Sequence, residues 1–157
     1  MTALEPGTAI EDRYIVEACI GRGGMGRVVE AFDTQLGRTV ALKEVLSLDP
    51  DVLRRFAREV QLTARLEHPS IARVFDFGES GHGDPFIAME VLRGSLLRDE
   101  LNRKVRLAPV NAICSLLPIA SALAAAHDKG IIHRDLKPEN VFIAVGPSRD
   151  LIDVRLL

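Results

Sequence analysis

Three side chains in the stretch 132–140, Ile-His-Arg-Asp-Leu-Lys-Pro-Glu-Asn, carry groups that together suit phosphoryl transfer. Asp135, Lys137 and Asn140 stand at positions i, i+2 and i+5, and Pro138 stiffens the stretch between the last two. The carboxylate can accept a proton, the ammonium can neutralise a phosphoryl oxygen, and the carboxamide oxygen can ligate a hard divalent cation. Each has a plainer reading by itself, since an Asp-x-Lys pair is ordinarily a solvated surface pair. The whole string, followed by the apolar run from Val141 to Val145, is what points to chemistry.

A second candidate lies near the N-terminus. Gly21-Arg22-Gly23-Gly24-Met25-Gly26 separates two runs that read as strands, Arg13 to Gly21 and Arg27 to Asp33. Glycines let main-chain N–H groups approach phosphate oxygens with no Cβ in the way. The spacing also suits a dinucleotide fingerprint, but there the glycines must open a helix. Arg27-Val28-Val29-Glu30-Ala31-Phe32 is β-branched and apolar and reads as a returning strand. A third strand, Thr39 to Val45, puts Ala41 and Lys43 on one face by its period of two. Taken alone, Lys43 reads as a strand lysine reaching for solvent.

The loop at 132–140, the glycine stretch and Val40-Ala41-Leu42-Lys43 resemble the corresponding motifs of protein kinases. The spellings Leu-Lys-Pro-Glu-Asn and Gly-x-Gly-Gly-Met-Gly-x-Val are similar to bacterial serine/threonine members. The resemblance implies an ATP-dependent enzyme that uses Mg2+ and phosphorylates Ser and Thr hydroxyls of proteins. It implies a nucleotide site formed by Gly21, Gly23, Gly24, Gly26, Val28, Ala41, Lys43, Met89, Glu90, Leu92 and Phe142. Met89 would lie at the back of that pocket, and main-chain groups of Glu90, Val91 and Leu92 would meet the adenine. Asp135 and Lys137 would act at the transfer, Asn140 on the metal, and Arg134 would receive a phosphorylated loop, with His133 packed in the core. Glu59 would hold Lys43 in place, or else pair with Arg55 on a helix surface. Met89 equally reads as simple core filling.

The elements needed to position these groups can be read in order. Asp49-Pro50-Asp51 opens a helix that ends at His68-Pro69, with Leu53, Phe56, Val60 and Thr63 on one face. Ile71 to Gly78 and Phe86 to Val91 read as strands joined by a turn in which His82 is solvated. Helical periodicity takes over from Ser95 to Lys104 and from Pro109 to Lys129, with Ile113, Leu116, Ala120, Leu123 and His127 as the expected packing stripe. Pro118 interrupts that second helix without an evident purpose. The expected fold is α+β, kinase-like and two-lobed: a five-stranded antiparallel sheet with one helix over 12–92, then an incomplete helical lobe over 93–157. A nucleotide-binding pseudokinase or regulatory module is the alternative reading of the same fold.

Composition narrows the classes further. The 157 residues are 47% hydrophobic and 27% charged, an ordinary globular balance, and the net charge of −2 offers no basic stripe to a nucleic acid. Cys19 and Cys114 stand far apart and read as two buried free thiols. With no basic leader and no apolar stretch expected to reach the length of a bilayer span, a cytoplasmic chain without a membrane segment is expected. The sequence stops at Leu157, where kinases continue into Asp-Phe-Gly, so residues 1–157 read as the first part of a catalytic domain and are expected to show no transfer alone.

Overall fold

The computed structural model describes residues 5–23, 26–44, 60, 66–80, 83–104, 106–145 and 152–157. It forms two compact units, Met1–Arg65 with Arg73–Val91, and Leu66–Ala72 with Leu92–Leu157.

The first unit is built on an antiparallel sheet of order β1-β2-β3-β4-β6-β5. Its strands are β1 (Ala9–Ile10), β2 (Tyr14–Gly23), β3 (Gly26–Asp33), β4 (Arg38–Glu44), β5 (Val74–Glu79) and β6 (Pro85–Met89). Alternation sends Val29, Ala31, Val40, Leu42, Phe86 and Ala88 to one face, where they join Ile10, Tyr14 and Val16 in a closed core. Tyr14 meets Phe86 edge to face at 5.6 Å. The sixth strand corrects the expected five. β1 lies in the segment read as a loose polar lead, and Ile10 plugs the core while the Gly7 N–H donates to the Val16 carbonyl and the Val16 N–H donates to the Thr8 carbonyl. Its turn places Glu11 and Asp12 at φ of 50° and 51°, a left-handed turn made without glycine or asparagine, so the usual hairpin signal is missing.

An ion network ties the strands of this unit together. The Arg13 guanidinium donates to both carboxylate oxygens of Asp33, at 3.0 and 2.8 Å, and to Asp76 at 2.6 Å. Asp33 is fully buried and also accepts the N–H groups of Gln35 and Leu36. Arg13 lifts no carboxyl here: its hydrogen bonds hold Asp33 well below the usual range, and desolvation holds the Tyr14 hydroxyl well above its own.

The second unit carries the sheet β7-β8-β9 with β7 (Gly94–Leu96), β8 (Val141–Val145) and β9 (Ile152–Leu156), two helices, α1 (Leu97–Lys104) and α2 (Pro109–Asp128), and a 3-10 turn at Pro138–Asn140. β7 replaces the first residues of the expected helix from Ser95. Three residues are too few for an alternation to register, and their conformation comes from pairing with Phe142, Ile143 and Ala144. Gly94 is obligatory in this pairing, since at φ 149° a Cβ would sit 2.0 Å from the Ile143 carbonyl oxygen.

α2 packs on β9, and the face it buries differs from the expected stripe. Ser115, Ile119, Ala122 and Ala126 are buried, whereas Val110, Ile113, Leu116 and Leu117 are exposed and only Leu123 of the expected set packs on the core. Close approach to the strand selects the small side chains, and the Ser115 hydroxyl is satisfied by the Asn111 carbonyl at 2.8 Å. α2 also corrects the reading of apolar length, because it is long and apolar enough to cross a bilayer by length and composition. Its freedom from charged residues before Asp128 was obscured by the scattered Asn111, Ser115 and Ser121. Both cysteines prove exposed rather than buried. Cys114 lies on the α2 face turned away from the core, and Cys19 stands opposite Val29 after a register shift in β2.

Candidate active site

In the first unit the register decides which side chains share a surface. Directly opposed residues point to the same side of a sheet. Gly21 opposes Val28, Val28 opposes Lys43, Ala41 opposes Met89, and Lys43 opposes Ile87. Gly21, Val28, Ala41, Lys43 and Met89 therefore lie on one face, the reverse of the face that forms the core. The glycine stretch is the end of the β2–β3 hairpin, closed by Gly23 opposite Gly26, and Gly26 takes φ 124°, which a side chain would resist. Gly21 is different: a Cβ there would make only ordinary contact with Val28, at 3.7 Å. The fold has no need of glycine at 21, and a methyl group would occupy the face shared by Ala41 and Lys43. Just beyond Met89, the Glu90 N–H donates to the Arg73 carbonyl at 2.9 Å and the Glu90 carboxylate accepts the Arg73 N–H at 2.9 Å.

The second unit holds the loop 132–140. It leaves α2 at Gly130 and runs through Arg134, which takes φ 61°, into the 3-10 turn that Pro138 starts. Asp135 is the hub. Its carboxylate accepts the Lys137 ammonium at 2.9 and 2.7 Å and the Asn140 amide at 2.9 Å, and its carbonyl accepts the same amide at 2.7 Å. The hydrogen bond from Lys137, and after it the one from Asn140, hold the Asp135 carboxyl below the usual carboxylate range. Because the Asn140 nitrogen faces Asp135, its side-chain oxygen is turned the other way. The expected packing of His133 in the core is corrected: the ring is half-buried and bridges main-chain groups. Its Nδ1 accepts the Asp135 N–H at 3.3 Å, which leaves Nε2 to donate to the Leu157 carbonyl at 3.2 Å. Glu139 is clamped by Arg98 of α1, with Nε at 2.9 Å.

The sequence-derived set thus falls into two clusters. Gly21, Val28, Ala41, Lys43 and Met89 share a sheet face, with Gly23 and Gly26 closing the hairpin beside it. Asp135, Lys137 and Asn140 are joined by direct hydrogen bonds, and Phe142 follows on β8 opposite Leu96 and Arg155. Leu92 is half-buried at the start of the second unit's longer segment. Gly24 and Glu59 lie outside the described residues, as does most of the helix expected from Asp49 to His68, and with Arg55 and Glu59 goes the choice between their two readings. Among the described residues no group of three or more His, Cys, Asp or Glu side chains could hold a metal. Reading by motif missed the Arg13–Asp33–Asp76 network and the Arg27–Glu44 pair at 3.2 Å across β3 and β4. Partners separated by 20 and 63 positions leave no local signal.

Comparison with known proteins identifies the family. The family model described as "Protein kinase domain" matches residues 14–154. "Probable serine/threonine-protein kinase PknB" of Corynebacterium glutamicum is 46% identical over 140 residues, 85% of this chain and 22% of that protein. "Serine/threonine-protein kinase PknA" of Mycobacterium tuberculosis is 42% identical over 144 residues, 87% of this chain and 33% of that protein. The chain therefore spans a third or less of these relatives. The crystal structure of the Mycobacterium tuberculosis PknI kinase domain superposes with a TM-score of 0.84 at 31% identity, covering 98% of this chain and 62% of that one. With a family match over nearly its whole length, this chain belongs to the protein kinase family, alongside the bacterial serine/threonine kinases.

Proposed function

We propose that the protein transfers the γ-phosphoryl group of ATP to Ser and Thr hydroxyls of other proteins, with Mg2+ as cofactor. The observation that carries this reading is the hydrogen-bonded set Asp135, Lys137 and Asn140 within one short loop. The residues present suit both small molecules. A methyl at Gly21 would intrude on the face of Lys43 and Ala41 without touching the fold's own atoms closely, which suits a close-approaching nucleotide. The Asn140 oxygen, turned from Asp135, is a hard donor of the kind Mg2+ takes. Bound Mg2+ would neutralise charge on the phosphate oxygens.

The chain's own residues supply the remainder. Asp135, kept ionised by Lys137, accepts the hydrogen of the substrate hydroxyl and aims its oxygen. As that oxygen bonds to phosphorus, the bond to the departing ADP oxygen breaks and the proton leaves the hydroxyl toward Asp135. Lys137 stands where its ammonium can balance charge on the moving group, and Lys43 serves the phosphates from the sheet face. Gly23 and Gly26 shape the hairpin over the nucleotide, Val28 and Ala41 line the purine, Met89 backs the pocket, and the Glu90 main chain meets the adenine edge. A cytoplasmic site of action accords with ATP as donor.

The test is transfer of labelled phosphate from ATP to a generic protein substrate by the full-length protein, with and without Mg2+, beside Lys43→Met. Loss of one charge poised on the phosphates should lower the rate by about 10²-fold or more. Mg2+-dependent labelling of Ser and Thr that the variant lacks supports the proposal. Near-normal labelling by Lys43→Met, or no labelling by the parent, would overturn it and favour a nucleotide-binding module without transfer.

A further inference from the structure

We infer that Arg27 and Glu44 are positioning residues for nucleotide retention: their ion pair clasps the glycine hairpin to β4 and so sets how firmly the hairpin holds the phosphates of ATP. This rests on the phosphotransfer reading and adds to it two side chains that stand on the other side of the sheet from the nucleotide.

The main chain alone holds the hairpin loosely. Among the described residues, β1 pairs with β2 at Tyr14 and Ile15, and the main-chain bonds that follow end at Val16. Beyond that point β2 is an outer strand, and register shifts between Val16 and Ala18 and between Cys19 and Gly21 interrupt its ladder with β3. The end of the hairpin, where Gly23 faces Gly26, is therefore carried by β3. The ladder from β3 to β4 in turn ends with Val28 opposite Lys43. One position further the connection passes to side chains: Arg27 Nε donates to Glu44 Oε2 at 3.3 Å, and Arg27 Nη2 to Glu44 Oε1 at 3.2 Å.

Geometry and burial set this pair apart from a surface contact. The guanidinium fork meets both carboxylate oxygens, and the two side chains are only 16% and 17% exposed, so solvent screens the pair weakly. Alternation fixes its side of the sheet. Arg27 and Glu44 stand two residues on from Val29 and Leu42, which oppose each other and lie in the core. They are thus on the reverse of the face shared by Val28, Ala41 and Lys43. A nucleotide lying on that face does not touch them, and they act on it through the position of the hairpin. With the pair broken, the glycine end moves more freely and releases the phosphates sooner, while the strand residues that line the purine keep their places.

The experiment measures the affinity and dissociation rate of ATP with Mg2+, and the affinity of adenosine, in the full-length protein, Arg27→Gln, Glu44→Gln and the double variant. Melting temperatures are taken alongside, and all binding is measured well below the lowest of them. Each single variant is expected to weaken ATP binding about fivefold, less than the full worth of one hydrogen bond to a charged group. The loss should come mainly from faster dissociation. Adenosine carries no phosphates, and its affinity should stay within about twofold of the parent's in every variant. Because the two residues act through each other, the double variant should lose no more than either single one. Unaltered ATP affinity in both single variants overturns the inference alone. Equal losses of ATP and adenosine affinity, the mark of a general loosening of the unit, overturn it too, as does a double variant whose loss is the product of the two single losses. Absence of ATP binding by the parent protein overturns the phosphotransfer reading with it.

Discussion

Replacing Asp33 by Asn tests how the first unit is held together. The parent carboxylate is fully buried and accepts four hydrogen bonds, from Arg13 at 3.0 and 2.8 Å and from the N–H groups of Gln35 and Leu36 at 3.1 and 3.3 Å. The carboxamide keeps Oδ1 and with it three of these partners. Its nitrogen then faces the Arg13 nitrogen that lay 2.8 Å from Oδ2, donor against donor, and the charge is gone. Truncating a buried ion pair costs about 3–5 kcal/mol. The lower end applies, because Arg13 is 18% exposed and keeps Asp76 at 2.6 Å. For a chain of this size, about 3 kcal/mol lowers the melting temperature by roughly 6–12 °C, readable by circular dichroism at pH 7. Acidity supplies a second reading. Arg13 holds the folded-state pKa of Asp33 below its unfolded value, so its contribution is complete above about pH 4 and is lost as pH falls through the folded value. The gap between parent and variant should therefore narrow as pH falls below about 4. Equal melting temperatures at pH 7, or a gap that persists undiminished in acid, would refute this account of the network.

Two glycine substitutions should separate fold from function. Gly94→Ala puts a Cβ 2.0 Å from the Ile143 carbonyl oxygen, so β7 must part from β8; a destabilisation of about 3 kcal/mol or more is expected, and denaturant unfolding that shows less than about 1 kcal/mol would contradict the packing described. Gly21→Ala meets nothing closer than Val28 at 3.7 Å, so the melting temperature should hold while ATP affinity falls about tenfold, a loss of about 1.4 kcal/mol. Unchanged ATP affinity would show that the nucleotide does not approach this face.

Most of the site was legible because chemistry on a tight loop leaves a dense local signal. Asp135, Lys137 and Asn140 lie within six positions of one another, and the bonds joining them follow from that spacing and from Pro138. Ala41 and Lys43 were placed together by strand periodicity, and the register extends their face to Gly21, Val28 and Met89. What escaped reading was set by partners distant in sequence. β1 and β7 are two and three residues long and exist through pairing alone. The buried face of α2 went to Ser115, Ala122 and Ala126 because a strand packs closely there, a fact invisible in a hydrophobic stripe that favours Ile113 and Leu116. His133 was placed in the core by the family resemblance, although its ring atoms bond the main chain on both sides.

The central claim is that Asp135 acts on the substrate hydroxyl and not on the nucleotide. Its most direct test is to measure ATP affinity and phosphoryl transfer together in full-length Asp135→Asn. The carboxamide keeps an acceptor for Lys137 and so preserves the loop, while losing the charge proposed to orient the hydroxyl and take its proton. Transfer should fall by about 10² to 10⁴-fold with ATP affinity nearly unchanged. Equal losses in affinity and turnover, or transfer at the parent rate, would contradict the claim.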